Sequence, residues 1–228
     1  MEHLTKTIYG MTVNCDTLIT MWIAMLLIIV FAFFATRKLS IIPSGIQTFA
    51  EAIVGIFVNL TESMIGKKEG KKHVPLAASL FLFIITANLA GQLPLRLIHL
   101  KSGELASPTN DINLTAAMAI IVLIYYVTCG IKKKKLKFFI HGFSLPDIIM
   151  FLVEILDMFT RPLTLALRLF GNILAGEILI SALIGLCAWG LPIPFMLYEL
   201  LVAFVQALVF TMLTIVYIAS AIEEEETA

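Results

Sequence analysis

Residues 154–177 read EILDMFTRPLTLALRLFGNILAGE, and most of that stretch is apolar enough to lie in a bilayer. It nevertheless carries Glu154, Asp157, Arg161, Arg168, Asn172 and Glu177. An ionisable side chain at the centre of a membrane helix costs roughly 2.5–3.5 kcal/mol even on lenient insertion scales, so a chain that keeps several marks either an ion or substrate path or a set of intramembrane ion pairs. Arg168 is the sharpest case. It stands in LALRLF with apolar neighbours on both sides, and a guanidinium cannot shed its proton to escape desolvation. Two readings stay open at this point: an Arg paired to a carboxylate between helices, and a fixed positive charge used on a path.

Composition sets the class. With 60% hydrophobic and 14% charged residues in 228, the chain is too apolar for a soluble fold of its size and is expected to be an all-α polytopic membrane protein. A net charge of zero argues against a nucleic-acid partner. Cys15, Cys129 and Cys187 are scattered, and His3, His73, His99 and His141 are isolated. No disulfide framework, metal site or cofactor is expected from that spacing.

Read in order, residues 17–36 form a first span closed by Arg37 and Lys38. The apolar run is long for a signal peptide and lacks a basic leader and a small-residue cleavage site. Residues 43–66 mix Gln47, Glu51, Asn59 and Glu62 with apolar residues at helical spacing, the pattern of an amphipathic helix lying on the membrane surface. A second span is expected over 75–96, with Asn88 and Gln92 toward its far end. After a polar loop, SPTND marks a helix start, and a third span covers 112–130 before the basic run KKKKLK. From 146 to 188 the chain is far too long for one upright span, about 60 Å at 1.5 Å per residue against a hydrocarbon core of about 30 Å. With 192–222, beyond the break GLPIP, it is expected to form a strongly tilted helical hairpin followed by an acidic tail, 223–228. The whole is expected to be one membrane domain.

At about 100° per residue, Glu154, Asp157, Arg161 and Arg168 fall within about 60° of one another, Asn172 continues that stripe, and Glu177 is turned about 180° away. Pro162 leaves the carbonyl of Met158 without its helical donor and so permits a bend. In an antiparallel hairpin pivoting near residues 187–188, Gln206 is expected beside Arg168 and Glu199 beside Glu177. Glu199 and Gln206, seven residues apart, share a face.

Two runs carry a family resemblance: RPLTLALRLFGNILAGE at 161–177 and VQALVFTMLTIVYIASA at 205–221. They resemble subunit a of the F-type rotary ATP synthases, in its bacterial form. The order of membrane segments is similar over most of the chain, whereas roughly the first 15 residues resemble nothing in particular. The resemblance implies a non-catalytic, ion-translocating stator subunit of a plasma-membrane complex, surrounded by membrane lipid, whose partners are a ring of c subunits and the peripheral-stalk b subunits. It implies two offset aqueous half-channels, with Arg168 as the essential fixed cation between them. Glu177, Glu199, Gln206, Asn172, Glu154, Asp157 and Asn88 are the residues expected along the proton path. In the family, the positions matching Glu177 and Glu199 often pair a carboxylate with a histidine; here both are Glu, which leaves open whether proton or sodium is carried. Nothing resembles the phosphate-binding loop GxxxxGK[ST]. The alternatives are a secondary transporter whose Arg168 binds an anionic substrate, against which stands the lack of a visible internal repeat, and a scaffold held by buried ion pairs.

Lys and Arg concentrate in 37–72 and 131–137, while 97–111 holds Lys101 alone. By the positive-inside rule the first two segments are cytoplasmic and residues 1–16 external, and three spans plus a hairpin return the acidic tail to the cytoplasm. Single cysteines at positions 3 and 225 are expected to react with an impermeant maleimide from opposite sides of sealed vesicles. A tail labelled from outside overturns this topology.

Overall fold

The computed structural model describes residues 5–8, 11–43, 45–92, 107–134, 145–186, 190 and 192–222. The acidic tail, Lys101 with the rest of the 93–106 loop, the basic residues 135–137 and the tip of the C-terminal break at 187–189 and 191 lie outside them. Six helices follow a short hairpin: α1 Cys15–Thr36, α2 Ile46–Ile65, α3 Lys67–Gln92, α4 Ile112–Lys134, α5 Leu145–Leu186 and α6 Pro192–Ile222, with a 3₁₀ turn at Pro108–Asn110 before α4. All six are long and apolar enough to cross a membrane by length and composition, and the chain is a multi-helical membrane protein.

The hairpin pairs β1 Thr5–Ile8 with β2 Met11–Asn14, Thr5 opposite Asn14 and Ile8 opposite Met11. Its sequence signal is the β-branched TKTI and MTVN on either side of Tyr9-Gly10.

Burial in α1 runs opposite to that of a soluble helix. Asp16, Thr17 and Thr20 are buried, while Trp22, Leu26, Ile29 and Phe33 are each more than half exposed. That distribution suits lipid on the outer face and a polar interior at one end. α6 is the central element, packed against α2, α3, α4 and α5. Its buried face carries Ala203, Ala207 and Thr211, all fully buried, at the four-residue spacing of small side chains that lets backbones approach. Phe210, Ile215 and Ile218 fill the space toward Phe57, Ile84, Met118, Val122, Leu165 and Leu169.

α3 begins at Lys67, eight residues before Pro75, so Pro75 lies inside the helix rather than at its start. Gly66, at φ +98°, is the single residue between α2 and α3. The two helices close on each other at Gly70, where an added Cβ would lie 2.6 Å from the carbonyl oxygen of Thr61. Farther along, the Phe57 and Phe81 rings meet at 5.1 Å.

The 42-residue helix α5 contains Pro162. The Met158 carbonyl, deprived of its helical donor by that proline, accepts a bond from Tyr126 Oη on α4 at 3.5 Å. Tyr126 is thereby placed to tie α4 to the point where α5 is free to bend.

Gly70→Val forces a side chain against backbone rather than against a movable side-chain end. It is expected to destabilise the α2–α3 corner by ~1–3 kcal/mol, seen as a lower thermal unfolding midpoint and faster proteolysis near Gly66. An unchanged midpoint shows that the corner does not need this contact.

Candidate functional site

Helix α5 has two chemically distinct faces. Leu165, Leu169, Ile173, Glu177 and Ile180 form a buried stripe toward the rest of the subunit. Asp157, Arg168 and Asn172 are exposed, and the nine residues between Arg168 and Glu177 turn them to opposite sides, about 180° apart. Glu154 belongs to this helix, but its side chain lies outside the described residues.

On the inner face, Glu177 is only 4% exposed. Asn110 Nδ2 donates to its Oε2 at 2.6 Å and the Ser107 backbone N–H approaches its Oε1 at 3.4 Å. The 3₁₀ turn that supplies both groups is held by the Ser107 hydroxyl, which donates to the Ala87 carbonyl on α3 at 3.3 Å and shares a 2.8 Å bond with Thr109. Glu199, 7% exposed, lies against the same stretch of α5. An added Cβ at Gly176 would collide with its carboxylate, so the missing side chain at 176 is what lets Glu199 reach the neighbourhood of Glu177.

The polar cluster continues past the turn. Asp111 caps α4, its Oδ1 accepting from the Asn113 backbone N–H at 2.8 Å, as expected of an N-cap. Its Oδ2 accepts from Asn14 Nδ2 at 2.8 Å, which ties the end of the β-hairpin to the start of α4. Burial pushes the Asp111 carboxyl up, but bonds from Asn14, Asn113 and Thr17 together hold it below the usual aspartate value. Asp16, fully buried, sits one turn from Thr20, whose hydroxyl donates to the Asp16 carbonyl at 2.8 Å.

On the outer face, Arg168 makes no hydrogen bond or ion pair with any of the described residues. Gln206, expected beside it, instead accepts from Asn172 Nδ2 at 2.8 Å, one helical turn further along α5. Asn172–Gln206 and the stacking of the Arg161 guanidinium on Tyr217, 5.1 Å to the ring centroid, both pivot about residue 189. The Glu199 carboxylate against Gly176 pivots about residues 187–188, so contacts along the hairpin bracket the expected register. Arg161 also donates to Ser220 Oγ at 3.1 Å and to Asp157 at 3.3 Å. Asp157 thus answers Arg161 on its own helix rather than Arg168.

Asn88 is 1% exposed and donates to the Ala203 carbonyl at 3.3 Å. Ala203 lies between Glu199 and Gln206 on the buried face of α6, so α3, α5 and α6 together gather Asn88, Asn172, Glu177, Glu199 and Gln206. Ser107, Asn110, Asp111, Asn14 and Asp16 escaped the sequence reading as site residues. SPTND was legible as a helix start, yet nothing in it says that the loop turns inward to meet Glu177.

The arrangement thus places carboxylates inside a helical membrane protein and, on the outer face of α5, a guanidinium with no ion-pair partner among the described residues. Comparison with known proteins gives the family. Residues 18–219 match the family described as ATP synthase A chain. ATP synthase subunit a of Gloeobacter violaceus is 44% identical over 225 residues, covering 99% of this chain and 91% of that one. The chloroplastic ATP synthase subunit a of Stigeoclonium helveticum is 38% identical over 224 residues, covering 98% and 91% respectively. The chain belongs to the ATP synthase A chain family.

Gly176→Val is expected to displace the Glu199 carboxylate without altering either acid, and to slow ATP-driven proton pumping by about tenfold, the effect of ~1.4 kcal/mol on a limiting barrier. Quenching of a pH-sensitive dye in vesicles holding the assembled complex measures this. Pumping at the wild-type rate shows that the position of Glu199 is immaterial.

Proposed function

We propose that this chain is the proton-conducting stator subunit of a rotary F-type ATP synthase, non-catalytic itself and coupled to a ring of c subunits. The observation that carries the reading is the Asn172–Gln206 bond. Asn172 is exposed one turn from Arg168, whereas Gln206 is buried at 5% exposure on the face that also bears Glu199. It joins the face of α6 that bears Glu199 to the face of Arg168, which has no ion-pair partner among the described residues.

Protons enter beside Asp111 and the 3₁₀ turn, pass to the Glu177 and Glu199 pair, and reach the outer face near Asn172. Two carboxylates held close in a low-dielectric setting share a proton more readily than they both ionise, which suits a relay. A c-subunit carboxylate takes the proton, becomes neutral, and moves away into lipid as the ring turns. On its return it meets the second half-channel, which opens along the face of Glu154 and Asp157 on the cytoplasmic side. Arg168 attracts the deprotonated carboxylate and keeps the two half-channels from joining. Each proton gains about 2.3 kcal/mol per 100 mV, so rotation sums many small steps.

Residues 1–16 are external and the acidic tail cytoplasmic in this reading, in the plasma membrane of a bacterium. α1, α3 and α4 cross the bilayer, and α5 with α6 forms the tilted hairpin against the ring; peripheral-stalk b subunits and lipid cover other faces. The mixed polar and apolar spacing of α2 supports its lying at the membrane surface, and rings join it to its neighbours. Phe49 meets Phe31 at 6.1 Å and Phe57 meets Phe81 at 5.1 Å.

Arg168→Ala is expected to abolish proton-coupled ATP synthesis in vesicles while leaving assembly with the c-ring intact. Arg168→Lys is expected to restore little, because an ammonium lacks the planar fork and loses its proton when desolvated. Coupled synthesis near the wild-type rate in Arg168→Ala refutes the role assigned to this charge.

A further inference from the structure

Gly91 stands in the last turn of α3 with a helical backbone, and the described glycines with positive φ are Gly45, Gly66 and Gly190. An alanine could therefore adopt the backbone at 91, and alanine is the better helix former. Conformation does not call for a glycine here; space does. A Cβ at 91 would collide with the Cβ of Ser107 and lie 2.6 Å from its Oγ and 3.1 Å from its Cα. Turning the serine side chain does not relieve this, because its Cβ stays where the backbone puts it. Ser107 is buried, and its hydroxyl donates to the carbonyl of Ala87, one helical turn before Gly91. Ala87 and Gly91 thus form a seat on α3 across which Ser107 lies.

That seat fixes the aim of the 3₁₀ turn. The Ser107 N–H donates to Glu177 Oε1 at 3.4 Å, and Asn110 Nδ2 donates to Oε2 at 2.6 Å. The Asn110 backbone N–H donates to the Ser107 carbonyl at 3.0 Å, so the two donors move as one piece. Bringing a methyl group on residue 91 from collision to ordinary contact at about 3.5–4.0 Å requires the turn to move by about an ångström. A shift of that size breaks the longer bond to Glu177 and misaligns the shorter one.

We infer that Gly91 is a positioning residue for the Glu177 carboxylate: its missing side chain seats Ser107, and the seated turn aims two N–H donors at the acid. Hydrogen-bond donors at a carboxylate govern how readily it parts with its proton. The inference rests on the proposed function, in which Glu177 relays protons. The other acids on the elements around the turn are Glu199 on α6, Asp111 at the start of α4 and Asp16 on α1, and α3 bears no ionisable side chain beyond His73. A substitution at 91 alters none of them, so a changed pH profile reports on the turn.

The test is ATP-driven proton pumping by the assembled complex in sealed vesicles, followed with a pH-sensitive dye across a range of pH. Gly91→Ala is expected to move the pumping optimum up by about one pH unit, the direction in which a carboxylate deprived of N–H donors gives up its proton, with about a tenfold loss of rate at the wild-type optimum. Added to Ser107→Gly, which removes the Cβ and keeps the backbone N–H, the same substitution is expected to change nothing further. A wild-type optimum in Gly91→Ala, or an equal shift with and without Ser107→Gly, overturns the proposal. Should Gly91→Ala fail to assemble with the c-ring, adding Ser107→Gly is expected to restore assembly, and no restoration overturns it too. Glu177→Gln is measured alongside. Pumping retained there removes the relay, and this inference with it, whereas pumping lost there and an unmoved optimum in Gly91→Ala sink the role of Gly91 alone.

Discussion

Hydrocarbon offers no hydrogen bonds, so each polar group of a membrane helix must be answered by the protein itself or by whatever packs against it. Helix α5 concentrates that constraint because its polar residues point both ways. The nine-residue spacing of Arg168 and Glu177 sends one charge outward and the other inward. The inward one governs the surrounding architecture: a 3₁₀ turn between α3 and α4 is drawn in until Asn110 and the Ser107 N–H meet the Glu177 carboxylate. Asp111 follows in the chain and anchors that turn to α4 through Asn113 and to the first hairpin through Asn14.

Packing makes this convergence geometrically accessible. Interhelical hydrogen bonds in membranes contribute only about 0.6 kcal/mol each on average, so close van der Waals contact carries much of the association. Ala203, Ala207 and Thr211 bring α6 near α3, close enough for Asn88 to reach the Ala203 carbonyl. Gly176 does the same on α5 for Glu199. Small side chains and site chemistry are therefore one feature, since a bulkier residue at 176 would separate the two acids without touching either.

The helical composition, the two faces of α5 and the pairing of its far arm with α6 were legible because each depends on a period or a length that a single segment contains. Pro162 freeing the Met158 carbonyl was legible too, but the Tyr126 hydroxyl that takes it up comes from another helix. The hairpin register was legible only to within a turn, because composition locates a break to within its own length: Gly176–Glu199 pivots about residues 187–188, Asn172–Gln206 and Arg161–Tyr217 about residue 189. The partners of Glu177 were not legible at all. SPTND carries a strong N-cap signal, and the same residues that cap α4 also turn toward α5 only because α3, through Ala87, holds Ser107 in place.

What α5 and α6 withhold from Arg168 matters as much as what they supply elsewhere. Two opposite unit charges about 4 Å apart near a protein surface attract by ~4 kcal/mol, so a carboxylate of the subunit's own beside Arg168 would satisfy the guanidinium and weaken its hold on a partner's carboxylate. Asp157 is spent on Arg161, whose guanidinium also stacks on Tyr217 and bonds Ser220. Glu177 and Glu199 are buried on the far side of the hairpin. The side chains that meet between α5 and α6 a turn from Arg168, Asn172 and Gln206, are amides, which donate and accept hydrogen bonds without bearing net charge. A glutamate at 206 would conserve size and shape but place a negative charge within a turn of Arg168. The neutrality of that amide pair is thus the condition under which Arg168 stays an open electrostatic site facing the ring in the proposed mechanism.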